Sequence, residues 1–292
     1  MTVDSIRIGL AQPRVVIDPD PEANVARATN LVARAIANGA DLVVFPEGYP
    51  GPVLRRPTAE YEAKERMADA AATNGVAVCW SRMELCDDGR YRLVVYVVDE
   101  TGEQVLRYPR AHPATIPPEE TEVWVAPGED LGGFQVRGVP MAIVVCSELW
   151  APESTRVHAI RGAEVILSPA GGGFTTLTNN WQIVARARAI ENLCYVALTN
   201  NIWEDEMGAA MVAGPEHVVA ASGFEDLIMA TLDLARVRWL RDHDDSLVEP
   251  KPFWSIPGLT RFRRPELYED LVKPSEDLYD FFTDPGEGAT SE

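Results

Sequence analysis

A mixed α/β fold is predicted by three features of the 292-residue chain. Short apolar runs that read as strands recur along it, among them "SIRIGLA", "DLVVF", "EVILSPA" and "CYVALTN". Stretches with helical spacing of apolar residues separate several of these runs. Hairpin signals break the alternation, so the strands form either two sheets or one large mixed sheet. The length suits a single large α/β domain, and 46% hydrophobic residues can build a sizeable core.

The elements follow in order. "SIRIGLA" (Ser5 to Ala11) alternates as a strand does. In the next segment Asp20 can cap a helix, Pro21 sits at its first position and Gly39 can close it, while Val25, Ala28, Leu31, Val32, Ala35 and Ile36 form one apolar stripe. "DLVVF" is a short buried strand ending in Pro46-Glu47-Gly48, and a second helix covers about Thr58 to Thr73. "GVAVCWSRM" and "RLVVYVVDE" are strands joined through the turn "DDG", and Glu100-Thr101-Gly102 turns the chain into "EQVLRYPR". A loop rich in Pro and Glu occupies His112 to Asp130, before the strands "GGFQV" and "MAIVV". A helix from about Ala151 to Arg161, the strand "EVILSPA", the helix "NWQIVARARAIENL" and the strand "CYVALTN" come next. Two short strands near "AMVA" and "HVVAA" lead to "DLIMATLDL", which closes the regular part. After about Arg241 the chain is rich in Pro, Trp, Tyr and Asp and reads as an extended arm.

Composition restricts the function. The net charge is −19, from 45 acidic and 26 basic residues, with no Lys/Arg-rich run, so nucleic acid and anionic membrane are not expected partners. Part of this acidity lies between Glu266 and Glu292, which holds nine acids and one lysine. Cys79, Cys86, Cys146 and Cys194 lack C-x-x-C spacing, so no metal site is expected. The N-terminal "MTVDSIRIGLAQP" has neither a basic region nor a long apolar one, and no apolar run is long enough to span a membrane. A soluble, cytoplasmic protein with reduced thiols is expected.

Three polar residues each follow an apolar strand: Glu47 after "DLVVF", Arg110 after "EQVLRYP" and Cys146 after "MAIVV". Strand ends on one edge of an α/β layer are where ligands bind. A thiol at a strand-to-helix turn is exposed and feels the helix N-terminus, which favours thiolate. Taken alone, such a cysteine is more often a packed small hydrophobe, as Cys79, Cys86 and Cys194 are expected to be.

From Ile6 to Leu234 the chain resembles the nitrilase superfamily of carbon–nitrogen hydrolases. "FPEGY" is similar to the segment of the general-base glutamate, "RYPRAHP" to the Tyr-x-Lys-x-His segment of the catalytic lysine, and "VVCSELWAPE" to the nucleophile segment. "RGAEVILSPA" and "ARARAIENLCYVALTNN" match further stretches in the right order. The resemblance implies a four-layer α-β-β-α sandwich of the nitrilase type over residues 1–240, with residues 241–292 as an acidic packing or dimer arm, and a homodimer or larger assembly. It implies cofactor-free hydrolysis of a non-peptide C–N bond in a small molecule, an amide or N-carbamoyl compound rather than a nitrile. Cys146 is then the nucleophile, Glu47 its base, and Glu120 a second glutamate that orients substrate or base, with Glu119 and Glu122 one slip away. Glu148, Trp150 and Gly171 are the expected substrate-lining residues, and His112 a structural partner of its loop.

One departure stands out. The lysine slot holds Arg110, and no lysine occurs between Lys64 and Lys251. Arginine can brace an oxyanion but cannot release a proton, and it would tend to grip Glu47 or Glu120 with both arms of its fork. Nitrile hydrolysis, acyl transfer and an impaired, ligand-binding family member are the alternatives on the same site. A generic α/β binding module, with Cys146 buried and inert, is the alternative to the resemblance itself.

Overall fold

The computed structural model describes residues 3–15, 21–51, 63–114, 124–171, 177–202, 208–243, 262–275 and 278–282. The elements are β1 (Ser5–Ala11), α1 (Pro21–Ala37), β2 (Leu42–Val44), α2 (Ala63–Asn74), β3 (Ala77–Leu85), β4 (Tyr91–Val98), β5 (Gln104–Pro109), β6 (Gly133–Val136), β7 (Val139–Ile143), α3 (Pro152–Ile160), β8 (Val165–Pro169), α4 (Thr178–Asn192), β9 (Tyr195–Thr199), β10 (Ala210–Ala213), β11 (Val218–Ser222), β12 (Leu227–Asp233) and α5 (Leu234–Asp242). A short 3-10 turn, Cys146–Trp150, joins β7 to α3.

Two six-stranded sheets form, ordered β12-β1-β2-β3-β4-β5 and β11-β10-β9-β8-β7-β6. Each is parallel at its centre (β1-β2-β3 and β7-β8-β9) and antiparallel outside it. The alternation of side chains along the strands assigns the layers. Ile6, Ile8, Leu10, Leu42, Val44, Ala77 and Cys79 of the first sheet share one core with Met141, Ile143, Val165 and Leu167 of the second. The opposite face of the first sheet, including Val43, Val78, Trp80 and Tyr96, is covered by Val25, Leu31 and Val32 of α1 and Met67 of α2. Trp80 and Tyr96 stack there at 4.9 Å between centroids. The helices α3 and α4 pack together, and α4 lies on β9 and β10. The result is the four-layer α-β-β-α sandwich, and of the two arrangements the strands allowed, two sheets face to face is the one adopted.

The parallel centres make this arrangement useful. Their strands point the same way within each sheet, so β2, β7, β8 and β9 deliver Glu47, Cys146, Gly171 and Asn201 at their C-terminal ends. The first sheet adds β5, which runs with β3 through two antiparallel pairings and carries Arg110 just past its own end.

Helix α1 starts at Pro21 and its stripe is buried as expected from Val25 to Ala35, with Ile36 only half-buried, and Gly39 closes the helix at φ 78°. Asp20, the expected cap, lies outside the described residues, as does the expected start of the second helix. One element departs from the expectation. The regular structure does not close with β12: Asp233 accepts a hydrogen bond from Arg236 N–H and caps α5, whose Leu234, Val237 and Leu240 are buried. The strand runs into the helix with no Gly or Pro to mark the change, so the cap residue Asp233 and the switch of period are the local signals. No helix among the described residues is long and apolar enough to cross a membrane.

The shared core predicts its own sensitivity. Ile8 is fully buried between the sheets, and Ile8→Ala is expected to lower the unfolding free energy by about 2–5 kcal/mol in denaturant titrations, with the slope of the transition unchanged.

Candidate active site

The turn after β2 is built to hold Glu47 still. Gly48 has φ 71°, a conformation that suits glycine. The buried Ser81 hydroxyl on β3 accepts from Gly48 N–H at 2.8 Å and donates to the Pro46 carbonyl at 3.2 Å. Glu47 N–H reaches the Ala170 carbonyl at the end of β8, and Asn201 Nδ2 donates to the Glu47 carbonyl at 3.3 Å. Glu47 is therefore tied to both sheets, and its side chain is 3% exposed.

Arg110 follows β5 and is equally buried, at 3%. Its Nη1 donates to Glu47 Oε1 at 2.6 Å, and its Nη2 donates to the Ser147 hydroxyl. The guanidinium thus joins Glu47 to the residue after Cys146. It does not close both arms on one carboxylate, as expected from sequence, because Ser147 occupies the second arm. Burial works against the arginine's charge, but Glu47, Cys146 and Glu148 hold its pKa above the ordinary arginine value.

Cys146 opens the 3-10 turn with φ 49°, a left-handed conformation that a side-chain-bearing residue adopts at a cost of order 1–3 kcal/mol. Glu148 holds it there. The Val145 N–H donates to Glu148 Oε2 at 2.7 Å, while Tyr108 Oη donates to the same carboxylate at 2.9 Å and His112 N–H at 2.8 Å. The His112 ring also faces it, with Nδ1 at 3.3 Å from Oε1. Behind the turn, Arg188 on α4 donates to the Leu149 carbonyl at 2.9 Å and the Trp150 carbonyl at 2.8 Å, and pairs with Glu191.

The thiol is not poised as thiolate. Burial pushes Cys146 up to about 12, the Glu47 charge and a hydrogen bond to Glu47 add to the rise, and Arg110 and the Gly171 N–H pull the other way. The helix-terminus effect anticipated from the sequence is outweighed because only a short 3-10 turn follows and the sulfur is buried. Gly171 closes the group: a Cβ there would lie 3.2 Å from Glu47 Oε2.

Glu47, Arg110, Cys146 and Gly171 therefore meet, while Glu120, Glu119 and Glu122 lie outside the described residues. Glu148 does not line a substrate pocket as the sequence reading had it. Both its oxygens are taken by protein donors, and it sits under the Cys146 turn at 2% exposure. Burial works upward on its pKa, but His112, Arg110 and the Val145 N–H bring it below the ordinary glutamate value. The Trp150 side chain is partly exposed on the outer layer, edge-on to Trp181 at 5.3 Å. His112 is the structural partner expected, and it also meets the ring of Phe281 at 5.7 Å. Of the remaining cysteines, Cys79 and Cys194 are buried as expected, but Cys86 is only half-buried.

Sequence reasoning missed Tyr108, Ser81, Asn201 and Ser147 as site partners. Tyr108 was legible: with a two-residue period, Tyr108, Arg110 and His112 fall on one face, the face that meets the two glutamates. Ser81 and Asn201 carry no local signal, because their partners are contributed by other strands.

Comparison with known proteins agrees with this geometry. A family profile described as carbon-nitrogen hydrolase matches residues 7–242. The chain is 24% identical over 255 residues to omega-amidase NIT2-B of Xenopus laevis, covering 81% of this chain and 91% of that protein. It is 25% identical over 291 residues to N-carbamoylputrescine amidase of Solanum tuberosum, covering 87% and 91%. The crystal structure of a carbon–nitrogen hydrolase from Helicobacter pylori G27 shares the fold with a TM-score of 0.78 at 23% identity, over 92% of this chain and 99% of that one.

Two outcomes are expected of this arrangement. Glu148→Ala, which strips partners from Val145 N–H, His112 N–H and Tyr108 Oη, should destabilise the fold by about 3 kcal/mol in denaturant titrations. Cys146 and Cys194 are both raised from an ordinary 9.0 to about 12 by burial. Above about pH 9 the unfolded chain loses these thiol protons and the folded chain keeps them. Stability should therefore fall steadily as pH rises from there toward 12, in melts recorded across the range, and fall less in Cys194→Ala.

Proposed function

The chain belongs to the carbon–nitrogen hydrolase family, and on that premise we propose that it hydrolyses a small non-peptide amide or N-carbamoyl compound through a cysteine thioester. The observation that carries this reading is the contact of a buried thiol, a buried carboxylate and a buried guanidinium at the C-terminal edge of two facing sheets. The names of the relatives, an omega-amidase and an N-carbamoylputrescine amidase, support an amide or carbamoyl substrate over a nitrile.

With its pKa near 12, Cys146 is protonated at neutral pH. Its sulfur attacks the carbonyl carbon as Glu47 takes the thiol proton. Arg110 supplies fixed positive charge next to the oxygen that becomes anionic. The C–N bond then breaks, the proton on Glu47 passes to the leaving nitrogen, and ammonia departs from a primary amide. Water attacks the thioester, gives its proton to Glu47, and releases the acid with the thiol restored. Glu120 is our candidate for orienting the substrate. No step needs a metal or an organic cofactor. A second copy of the chain is the proposed assembly partner.

Ammonia release from a panel of small amides, N-carbamoyl amino acids and nitriles tests the proposal. Release that disappears in Cys146→Ala and falls by about 10²–10⁴ in Glu47→Gln supports it. Arg110→Lys should turn over more slowly than the natural protein, since lysine cannot serve both Glu47 and Ser147. Faster turnover in that variant would instead mark the natural protein as an impaired member of the family.

A further inference from the structure

We infer that Ser147 is a positioning residue for Arg110, and that the two form a coupled unit that replaces a single lysine. Four observations carry the inference. The Arg110 guanidinium has three nitrogens, of which Nη1 donates to Glu47 and Nη2 to the Ser147 hydroxyl. The third, Nε, is buried and has no hydrogen-bond partner among the described residues. Among those residues two contacts therefore fix the plane of the guanidinium, and Ser147 is one of them. Ser147 itself is exposed, so the bond sits at the mouth of the site, while the arginine it holds is buried. Finally, Ser147 directly follows Cys146, whose left-handed backbone sets where that hydroxyl points.

The physical role follows from the geometry of the fork. Guanidinium and carboxylate pair most strongly when two parallel N–H groups meet the two oxygens. Such a pair would hold both oxygens of Glu47 and weaken it as a proton acceptor. Ser147 prevents this by taking Nη2, which keeps Glu47 Oε2 out of the ion pair. That oxygen lies beside Gly171, whose N–H in turn contacts the Cys146 sulfur. An ammonium, as a point charge with no fork, would not need a second partner to stay off Oε2. The inference rests on the proposed chemistry only for its consequence in turnover, since the contact can be tested without a substrate.

The test follows the rate at which iodoacetamide alkylates Cys146 at neutral pH, read by mass spectrometry of the peptide that contains it. The proteins compared are the natural chain, Ser147→Ala, Ser147→Thr, Arg110→Lys and the double variant Arg110→Lys with Ser147→Ala. Ser147→Ala is expected to slow alkylation about tenfold, and Ser147→Thr, which keeps a hydroxyl, to restore it to within about twofold. In the Arg110→Lys background the Ser147→Ala change should move the rate by less than about twofold. An equal slowing in both backgrounds, or none in either, overturns the inference. Should Arg110→Lys not fold, the two single serine variants decide: a fall in Ser147→Thr as large as in Ser147→Ala overturns it. Loss of ammonia release with this coupling intact would sink the proposed activity and leave the Ser147–Arg110 unit standing.

Discussion

The site depends on one constraint: three charges are buried together where the two sheets meet. Glu47, Arg110 and Glu148 are each nearly solvent-free, and a lone buried charge is unstable by several kcal/mol. The protein meets that constraint by distributing partners. Arg110 neutralises Glu47 directly, and its charge also favours the ionised form of Glu148. Glu148 is satisfied by backbone N–H groups and a tyrosine hydroxyl, all neutral donors. Removing any of these groups would leave another charge or donor uncompensated in a medium where that is costly.

The sandwich exists to hold those partners at hydrogen-bonding distance. Parallel strands in both sheets end on the same edge, so residues far apart in sequence converge there. Close approaches near β5 depend on glycine. A Cβ at Gly128 would fall 2.2 Å from the Pro109 carbonyl oxygen, and one at Gly132 would fall 2.8 Å from the Tyr108 ring. These two positions let the loop after β5 fold against the strand that presents Tyr108 and Arg110. The Cys146 turn is gripped from both sides, by Glu148 within the sandwich and by Arg188 from the outer helix.

Arg110, where the resemblance implies a lysine, would change the electrostatics less than the geometry. Either residue would place a positive charge beside Glu47 and the thiol. Arginine adds a second arm that must be accounted for, and Ser147 receives it. The thiol stays neutral in the resting site because burial and Glu47 outweigh Arg110. In the proposed reaction, chemistry begins with proton transfer to Glu47, which places the demands of catalysis on that carboxylate and on whatever keeps its second oxygen available.

The sequence by itself determined the order of the elements as far as β12 and placed Glu47, Arg110 and Cys146 at strand ends. Apolar periodicity, turn residues and strand ends are local properties, so they can be read along a single chain. Helix α5 was legible in principle, from Asp233 and the spacing of Leu234, Val237 and Leu240, but no break in composition separates it from β12. Tertiary structure alone decided the rest. Glu148 became a brace rather than a substrate contact because β5 brings Tyr108 and His112 onto it. Cys146 became a neutral thiol because the facing sheet excludes water. The second arm of Arg110 went to Ser147 because the left-handed turn at Cys146 brings that hydroxyl within reach of the end of β5. Each of these outcomes depends on burial or on a partner from a distant segment, and neither is written in the spacing of neighbouring residues.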